Sequence, residues 1–182
     1  MAGTPPGILA LMSRVNDETV DVSKLLAGAA AAVRGVPFCW LATTSEDGLA
    51  HVRPMGPLRP DPGEGKDEWT IRFLTDGRSR KAADLRRSGR VTVIVQHDPS
   101  LAFVTLTGTA TLYDTEPEVR RRWKDAYDAI FPTEEDRAAA LFLDVDVERM
   151  DLWIRGVTPE PFGIHTTTIE RDAGGAWRAV SP

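Results

Sequence analysis

Apolar positions along the chain first settle into a period near 3.6 residues at Val22, Leu25, Leu26, Ala29, Ala30 and Val33, which fall on one helical face. Asp21 stands where an N-cap belongs and Gly35 where the helix should close. The preceding residues 1–17 hold Pro5, Pro6, Gly7 and a short apolar stretch, Ile8 to Met12, without clear period; they are expected to form a mobile arm. After Gly35 the period drops to two. Phe38 to Thr43 and Leu49 to Met55 read as strands joined at Ser45-Glu46-Asp47-Gly48, whose Asp-Gly pair favours a hairpin turn. Gly56 to Gly65 is dense in proline and glycine and reads as loop. Trp69, Ile71, Phe73 and Thr75 then mark a third strand, stopped by Asp76-Gly77.

A short helix is expected from Ser79 to Ser88, ended by Gly89, and Val91 to Gln96 is a β-branched fourth strand. Ala102 to Tyr113 alternates as one long strand, in which Gly108 signals a bulge or sharp bend. Thr115 and Glu118 have capping-box spacing with Pro117 in the first turn. They open a single helix with the face Val119, Trp123, Ala126, Tyr127 and Ile130, which Phe131-Pro132 ends. Leu141, Leu143, Val145 and Val147 alternate with acidic residues, and Met150, Leu152 and Ile154 continue the alternation after a one-residue slip. A last pair, Phe162 to Ile169 and Trp177 to Val180, flanks the turn Asp172 to Gly175. Six or more strands with three inserted helices make a mainly β, α+β chain. So many strand edges are best removed by closure, which predicts an antiparallel β-barrel with peripheral helices.

Composition narrows the class. A chain of 182 residues with 42% hydrophobic side chains suits one domain over 1–182, with a core that needs no disulfide or metal. Its single cysteine, Cys39, has no internal partner, no leader pattern opens the chain, and no apolar run nears the roughly 18 residues of a membrane span. The expected location is the cytoplasm, with no membrane partner. Lys and Arg number 22 against 27 Asp and Glu, a net charge of -5. Nucleic acid is thereby excluded as the main partner, because it needs a clustered basic surface. Any anion site must be local.

Such a site is suggested where a strand gives way to a helix, at Thr75-Asp76-Gly77-Arg78-Ser79-Arg80-Lys81. Cations at a helix start oppose its dipole, by a few tenths to about 1 kcal/mol per group. A bound phosphate removes the conflict: Ser79 and the free amides donate to it, and Arg80 and Lys81 neutralise it. The competing reading is of surface cations paired with Asp76 or Asp84. Arg53 is a further candidate. It shares one face of the second strand with His51 and Met55, and an inward arginine in a barrel needs an anion, whereas an outward one does not. Pro54 removes a ladder donor and so marks an edge or strand end.

Four segments now stand in a recognisable order: Arg53-Pro54-Met55, Phe73-Leu74-Thr75, Ser79-Arg80-Lys81 and Asp151-Leu152-Trp153. Over residues 20–155 their order and spacing resemble the FMN-binding split barrels related to pyridoxamine 5′-phosphate oxidase, in particular the general stress protein 26-like subgroup. The resemblance implies an antiparallel split β-barrel, FMN as cofactor, and a homodimer with the flavin between protomers. It implies phosphate contacts from Arg53, with Pro54 and Met55 beside it, from Ser79, and from the clamp Arg80 and Lys81. Leu74 would contribute its backbone, Thr75 its hydroxyl, and Trp153 an indole near the flavin.

The departures from the oxidase pattern bear on the substrate. The lysine expected five residues after Arg53 is Leu58, the basic Arg-x-His-x-Arg stretch after Trp153 is replaced by Pro159-Glu160-Pro161-Phe162-Gly163, and a glutamine of the long strand appears as Phe103. The first two losses remove the groups that hold a pyridoxal phosphate substrate. What remains implied is an FMN-dependent oxidoreductase acting on another small organic molecule, with NAD(P)H or dioxygen as redox partner. Two rival readings use the same clamp: a flavin-binding stress or sensor protein without turnover, and a reductase using the deazaflavin F420. No residue stands out as a general acid or base.

Other constellations carry less. Asp144, Asp146 and Glu148 read as a solvent-facing row rather than a hard-cation site. His51, His97 and His165 lack zinc spacing, and a single histidine on a haem is the weaker reading. Cys39 reads as a small buried hydrophobe, and Arg120-Arg121-Arg122 as solvated helix surface.

Overall fold

The computed structural model describes residues 21–180, so the expected arm over 1–17 lies outside the described residues. Helix α1 (Val22–Gly35) begins where the Asp21 carboxylate accepts the Lys24 amide, and it buries Leu25, Ala29 and Ala32 against the sheet. Strands β1 (Cys39–Thr44) and β2 (Ala50–Met55) form the expected hairpin, with Leu41 opposite Arg53 and Thr43 opposite His51. There follow β3 (Thr70–Asp76), α2 (Arg80–Ser88), β4 (Arg90–His97), β5 (Ala102–Tyr113), α3 (Glu116–Arg122), α4 (Glu134–Ala139), β6 (Ala140–Ile154), β7 (Thr167–Arg171) and β8 (Trp177–Val180). All pairings are antiparallel, in the order β2-β1-β4-β5-β6-β7-β8. β6 gives one edge to β5; its other edge takes β3 and then β7. Leu41, Phe73, Val93, Leu106, Leu143 and Met150 fill the interior.

The bend expected at Gly108 is a register shift in the β5–β6 ladder. Thr107 pairs with Arg149 and Gly108 with Val147, leaving Glu148 as the extra residue. This bulge explains the one-residue slip in the alternation of β6, since one added residue turns the following side chains to the opposite face. A Cβ on Gly108 would lie 2.1 Å from the carbonyl oxygen of Asp146, so only glycine fits.

Several expectations need correction. The barrel is split rather than closed by a ladder: β3 joins β6, and among the described residues the chain beyond β2 makes a single β-bridge to it, at Leu58, which exchanges two backbone hydrogen bonds with Arg72 (2.7 and 3.1 Å). Pro57 and Pro60 flank Leu58 and have no N–H to extend the pairing. The single helix expected from Thr115 to Ile130 breaks at Trp123, whose backbone is extended, and a short 3-10 turn follows over Asp125–Ala129. Tertiary contacts override the helical pattern there. Trp123 donates from Nε1 to Asp128 at 2.9 Å and meets the rings of Tyr127 and Phe131 edge-on, while Ile130 is left 67% exposed. The Thr115 hydroxyl donates to the Glu118 carboxylate instead of capping an amide. Helix α4 was not expected; its signal was Thr133, which accepts the Asp136 amide at 3.0 Å. The last hairpin begins at Thr167 rather than Phe162.

Two charged groups read as solvent-facing are buried. Asp144 is fully enclosed and takes Arg72 through Nε and Nη2 (2.7 and 2.9 Å), while the same guanidinium holds Glu64 at 2.5 and 2.9 Å. Lys66 Nζ lies 3.3 Å from Asp144, and buried Arg122 stacks 3.7 Å over the Tyr113 ring. The hydrogen bonds from Arg72 hold the Glu64 carboxyl down to about 2, against the push of burial. Together these pairs tie the proline-rich loop to β3, β6 and α3. The bulge sets the pairing of both long strands, so Gly108→Ala should destabilise the fold by about 2 kcal/mol or more, read as a lower midpoint in urea unfolding. A midpoint equal to that of the wild type would show that the close approach is not a constraint.

Candidate functional site

The loop after β3 turns at Asp76-Gly77 into α2, whose N-cap Ser79 has extended backbone and donates from its hydroxyl to the Asp76 carbonyl at 2.6 Å. The helix forms because Ala82, Asp84 and Leu85 share its inner face, and left-handed Gly89 closes it. Its first turn holds no acidic residue. The opening amides of a helix have no intrahelical acceptor and face outward as donors. Arg78 is not part of this arrangement: it is exposed and paired with Asp76 at 2.8 Å, and it reaches Glu135 and Asp136.

Helix α2 packs on β1 and thereby sets Lys81 and Asp84 against the inner face of the β1–β2 hairpin. Arg53 lies on that face, half-buried. Its Nη1 donates to Thr43 Oγ1 at 2.7 Å and to the Leu41 carbonyl at 3.3 Å, while Nε and Nη2 have no partner among the described residues. Burial lowers the Arg53 pKa, Asp84 opposes this, and nearby Arg80 lowers it further. Burial and the neighbouring Arg53 likewise hold the Lys81 ammonium below its ordinary range.

The ion-pair pattern isolates these two groups. Among the described residues, Lys66, Arg72, Arg122, Arg137 and Arg171 are all at least partly buried, and each has a carboxylate within 4.0 Å. Arg53 and Lys81 are withdrawn from solvent too, yet have none. A partly buried cation without an anion is costly, and two that repel each other are costlier. Beside them, Asp84 is buried with its pKa lowered: burial would raise it, but the Thr43 hydroxyl, His51 and Arg87 outweigh that.

The other expected residues divide by sheet face. Thr75 is buried on the inner side of β3, where that strand runs out toward Ser79, and its hydroxyl has no partner among the described residues. Leu74 turns its side chain the other way, into the cluster around Phe142, which leaves its backbone for any contact with a ligand. Met55 packs on the main core, and its carbonyl accepts the Cys39 thiol at 3.4 Å. Pro54 points outward opposite Trp40, and Trp153 points outward beside Phe103. The chain therefore brings Arg53, Ser79, Arg80 and Lys81 together with Thr75 near them, and it leaves Pro54 and Trp153 on the opposite face. Sequence reasoning missed Thr43 and the contact between His51 Nδ1 and Asp84 at 3.2 Å. The register of the hairpin, with Thr43 opposite His51, was the available signal.

Among the described residues, no three His, Cys, Asp or Glu are grouped to hold a metal. The buried Cys39 thiol is pushed up to about 11 by desolvation, which leaves no reactive thiolate. No helix there is long and apolar enough to cross a membrane.

A family model described as pyridoxamine 5′-phosphate oxidase matches residues 26–154, more than half of the chain. The chain belongs to the pyridoxamine 5′-phosphate oxidase family. No curated protein matches it. Among solved structures, a pyridoxamine 5′-phosphate oxidase-related, FMN-binding protein of Nostoc punctiforme is 16% identical, with a TM-score of 0.64 over 91% of this chain and 99% of that one. A protein of Clostridium acetobutylicum related to general stress protein 26 is also 16% identical, with a TM-score of 0.63 over 81% and 94%. PhzG of Burkholderia lata, solved with tetrahydrophenazine-1-carboxylic acid, is 15% identical, with a TM-score of 0.58 over 99% and 100%. These likenesses place the chain in the split-barrel fold of the family.

An unmatched cation pair should reveal itself in stability. Inorganic phosphate at millimolar concentration should raise the thermal midpoint of the chain, because an anion bound only by the folded state stabilises it. Lys81→Met should lose most of that shift and gain slightly without phosphate. A Lys81→Met chain that responds to phosphate as the wild type does would show that the pair is not an anion site.

Proposed function

We propose that this family member binds FMN and acts as an oxidoreductase on a small organic substrate other than a pyridoxal phosphate compound. The observation that carries the reading is the pair of half-buried cations, Arg53 and Lys81, which lack any carboxylate partner among the described residues. A phosphate ester fits that donor set. The free edge of Arg53, the Lys81 ammonium, exposed Arg80 and the first amides of α2 supply charge and hydrogen bonds to one anion. The Thr75 hydroxyl and the Leu74 backbone lie on the strand that leads to them. The FMN-binding relative from Nostoc punctiforme supports flavin as the phosphate's bearer.

Bound FMN supplies hydride and electron transfer, with NAD(P)H or dioxygen as the other redox partner. The protein's part is to hold the phosphate, orient the ring and exclude water from it. Leu58 and Pro159-Glu160-Pro161-Phe162-Gly163 offer no cation to a second phosphate, which argues against pyridoxine phosphate as substrate. The tetrahydrophenazine-1-carboxylic acid bound to the Burkholderia lata relative supports a small organic substrate. A buried, unpaired Cys39 suits a cytoplasmic protein.

The outward face of β2, β1, β4, β5 and β6 supports a homodimer. Trp40 is 48% and Val52 53% exposed there, in a register that continues through Pro54 and Ile94, with Phe103 and Trp153 farther along. Side chains of this size left on one sheet face call for a cover, and a second copy provides it. On this reading Trp153 serves the flavin of the partner, which explains why its own chain turns it away from Arg53.

The purified chain should show oxidised-flavin absorption after FMN is added, and replacing Arg80 and Lys81 together by Ala should weaken FMN binding at least ~10-fold. Uptake of F420 with indifference to FMN would overturn the cofactor assignment. Bleaching by NAD(P)H under anaerobic conditions supports turnover, and its absence with dithionite-reducible flavin points to a sensor. Light scattering should give twice the chain mass, and Trp153→Ala should loosen FMN without changing the inorganic phosphate response. A monomer that holds FMN at full affinity would contradict the shared site.

A further inference from the structure

Resting on the FMN reading, we infer that Thr43 and Asp84 are positioning residues for Arg53, and that they give the site its selectivity for a phosphorylated over a dephosphorylated flavin. The geometry is a relay through one hydroxyl. Thr43 Oγ1 donates to Asp84 Oδ2 at 2.8 Å and accepts from Arg53 Nη1 at 2.7 Å. A threonine hydroxyl has one proton and two lone pairs, so a fixed acceptor on one side leaves its oxygen as acceptor on the other. Asp84 is that fixed acceptor. It is buried, and its Oδ2 also faces His51 Nδ1 at 3.2 Å while Oδ1 lies 3.5 Å from Arg87.

The relay solves a conflict specific to this site. A guanidinium that must meet a phosphate needs a defined orientation, and the usual device is a direct bidentate carboxylate. That device operates elsewhere in this chain, on Arg72, and it occupies all three of its nitrogens. On Arg53 it would consume the charge and the donors that the phosphate requires. With Thr43 between them, Asp84 fixes Arg53 through Nη1 alone, and the Leu41 carbonyl holds the same nitrogen at 3.3 Å. The edge formed by Nε and Nη2 stays open for a two-pronged contact with a phosphate. A carboxylate one hydroxyl away offsets part of the repulsion among Arg53, Arg80 and Lys81 without pairing with any of them.

The test compares FMN with riboflavin, which shares the ring and lacks the phosphate. Thr43→Val keeps the buried shape and removes both hydrogen bonds; it should weaken FMN about tenfold and leave riboflavin unchanged, while Thr43→Ser restores FMN to within about twofold. In an Arg53→Ala background, Thr43→Val should have no further effect on FMN, since it acts only through that arginine. Asp84→Asn, an isosteric change, provides a second route and should lower the FMN-to-riboflavin preference at least threefold. Equal losses for FMN and riboflavin, or additive losses with Arg53→Ala, would reduce Thr43 to a packing residue and overturn the inference. Full FMN affinity in both Thr43→Val and Asp84→Asn would overturn it as well, with the FMN reading intact. A wild-type chain that takes up no FMN overturns the reading and the relay with it.

Discussion

The close approach of β5 to β6 at Gly108 governs where everything else in this chain can stand. The carbonyl of Asp146 occupies the space a side chain would need, and Glu148 is squeezed out as the extra residue of a bulge. A bulge increases local twist and bends its strand. β6 therefore presents a single edge that changes direction along its length, so that β3 pairs with its first half and β7 with its second. The end of β3 then leads into α2, and α2 is laid across β1. The hydrogen bond from Thr43 to Asp84 fastens that crossing, so the helix start is held beside the inner face of the β1–β2 hairpin.

Two arginines show how the same charge is handled for opposite ends. Arg72 is buried and neutralised on both sides by Glu64 and Asp144. All its polar atoms are satisfied, so it fixes the proline-rich loop and is closed to ligands. Arg53 is less buried, touches no carboxylate, and shares its surroundings with Arg80 and Lys81. A fold selected for stability alone would not keep such a group, because an unmatched charge withdrawn from water costs free energy that a neutral side chain avoids. An anion at this place, as proposed above, would remove that cost.

The sequence carried the elements that depend on local rules and lost those that depend on distant partners. The Asp21 cap, the Asp-Gly turn, Gly89 and Gly108 are read correctly because one residue type satisfies one backbone need. The helix start at Ser79-Arg80-Lys81 is legible for a similar reason, and the cations there contradict a local preference, the kind of conflict on which the proposed site rests. The broken helix at Trp123, the burial of Asp144 and Arg122, and the relay through Thr43 are not legible. Asp144, Arg122 and Thr43 are decided by groups tens of residues away, Arg72, Glu64 and Asp84, and the break at Trp123 by side-chain contacts with Asp128, Tyr127 and Phe131 that form only once the helix has ended. Period and propensity hold no information about those encounters, and a solvent-facing row of acids looks the same in sequence as a row with one buried member.

The departure at Leu58 follows from the same electrostatics. Leu58 pairs with Arg72 through the backbone and packs beside Leu74 and Tyr113 on the second apolar cluster. The loop that carries it is fixed by ion pairs among Lys66, Arg72, Arg122, Glu64 and Asp144. A lysine at this position would set a charged side chain against the apolar cluster around Phe142, and the cost of desolvating it would oppose the packing that draws the loop onto β3. The leucine and the buried ion network are thus one choice. Having fixed its loop with charge, the chain uses position 58 for apolar packing on the second cluster, and the half-buried cations without a carboxylate partner among the described residues, Arg53 and Lys81, stand on other elements.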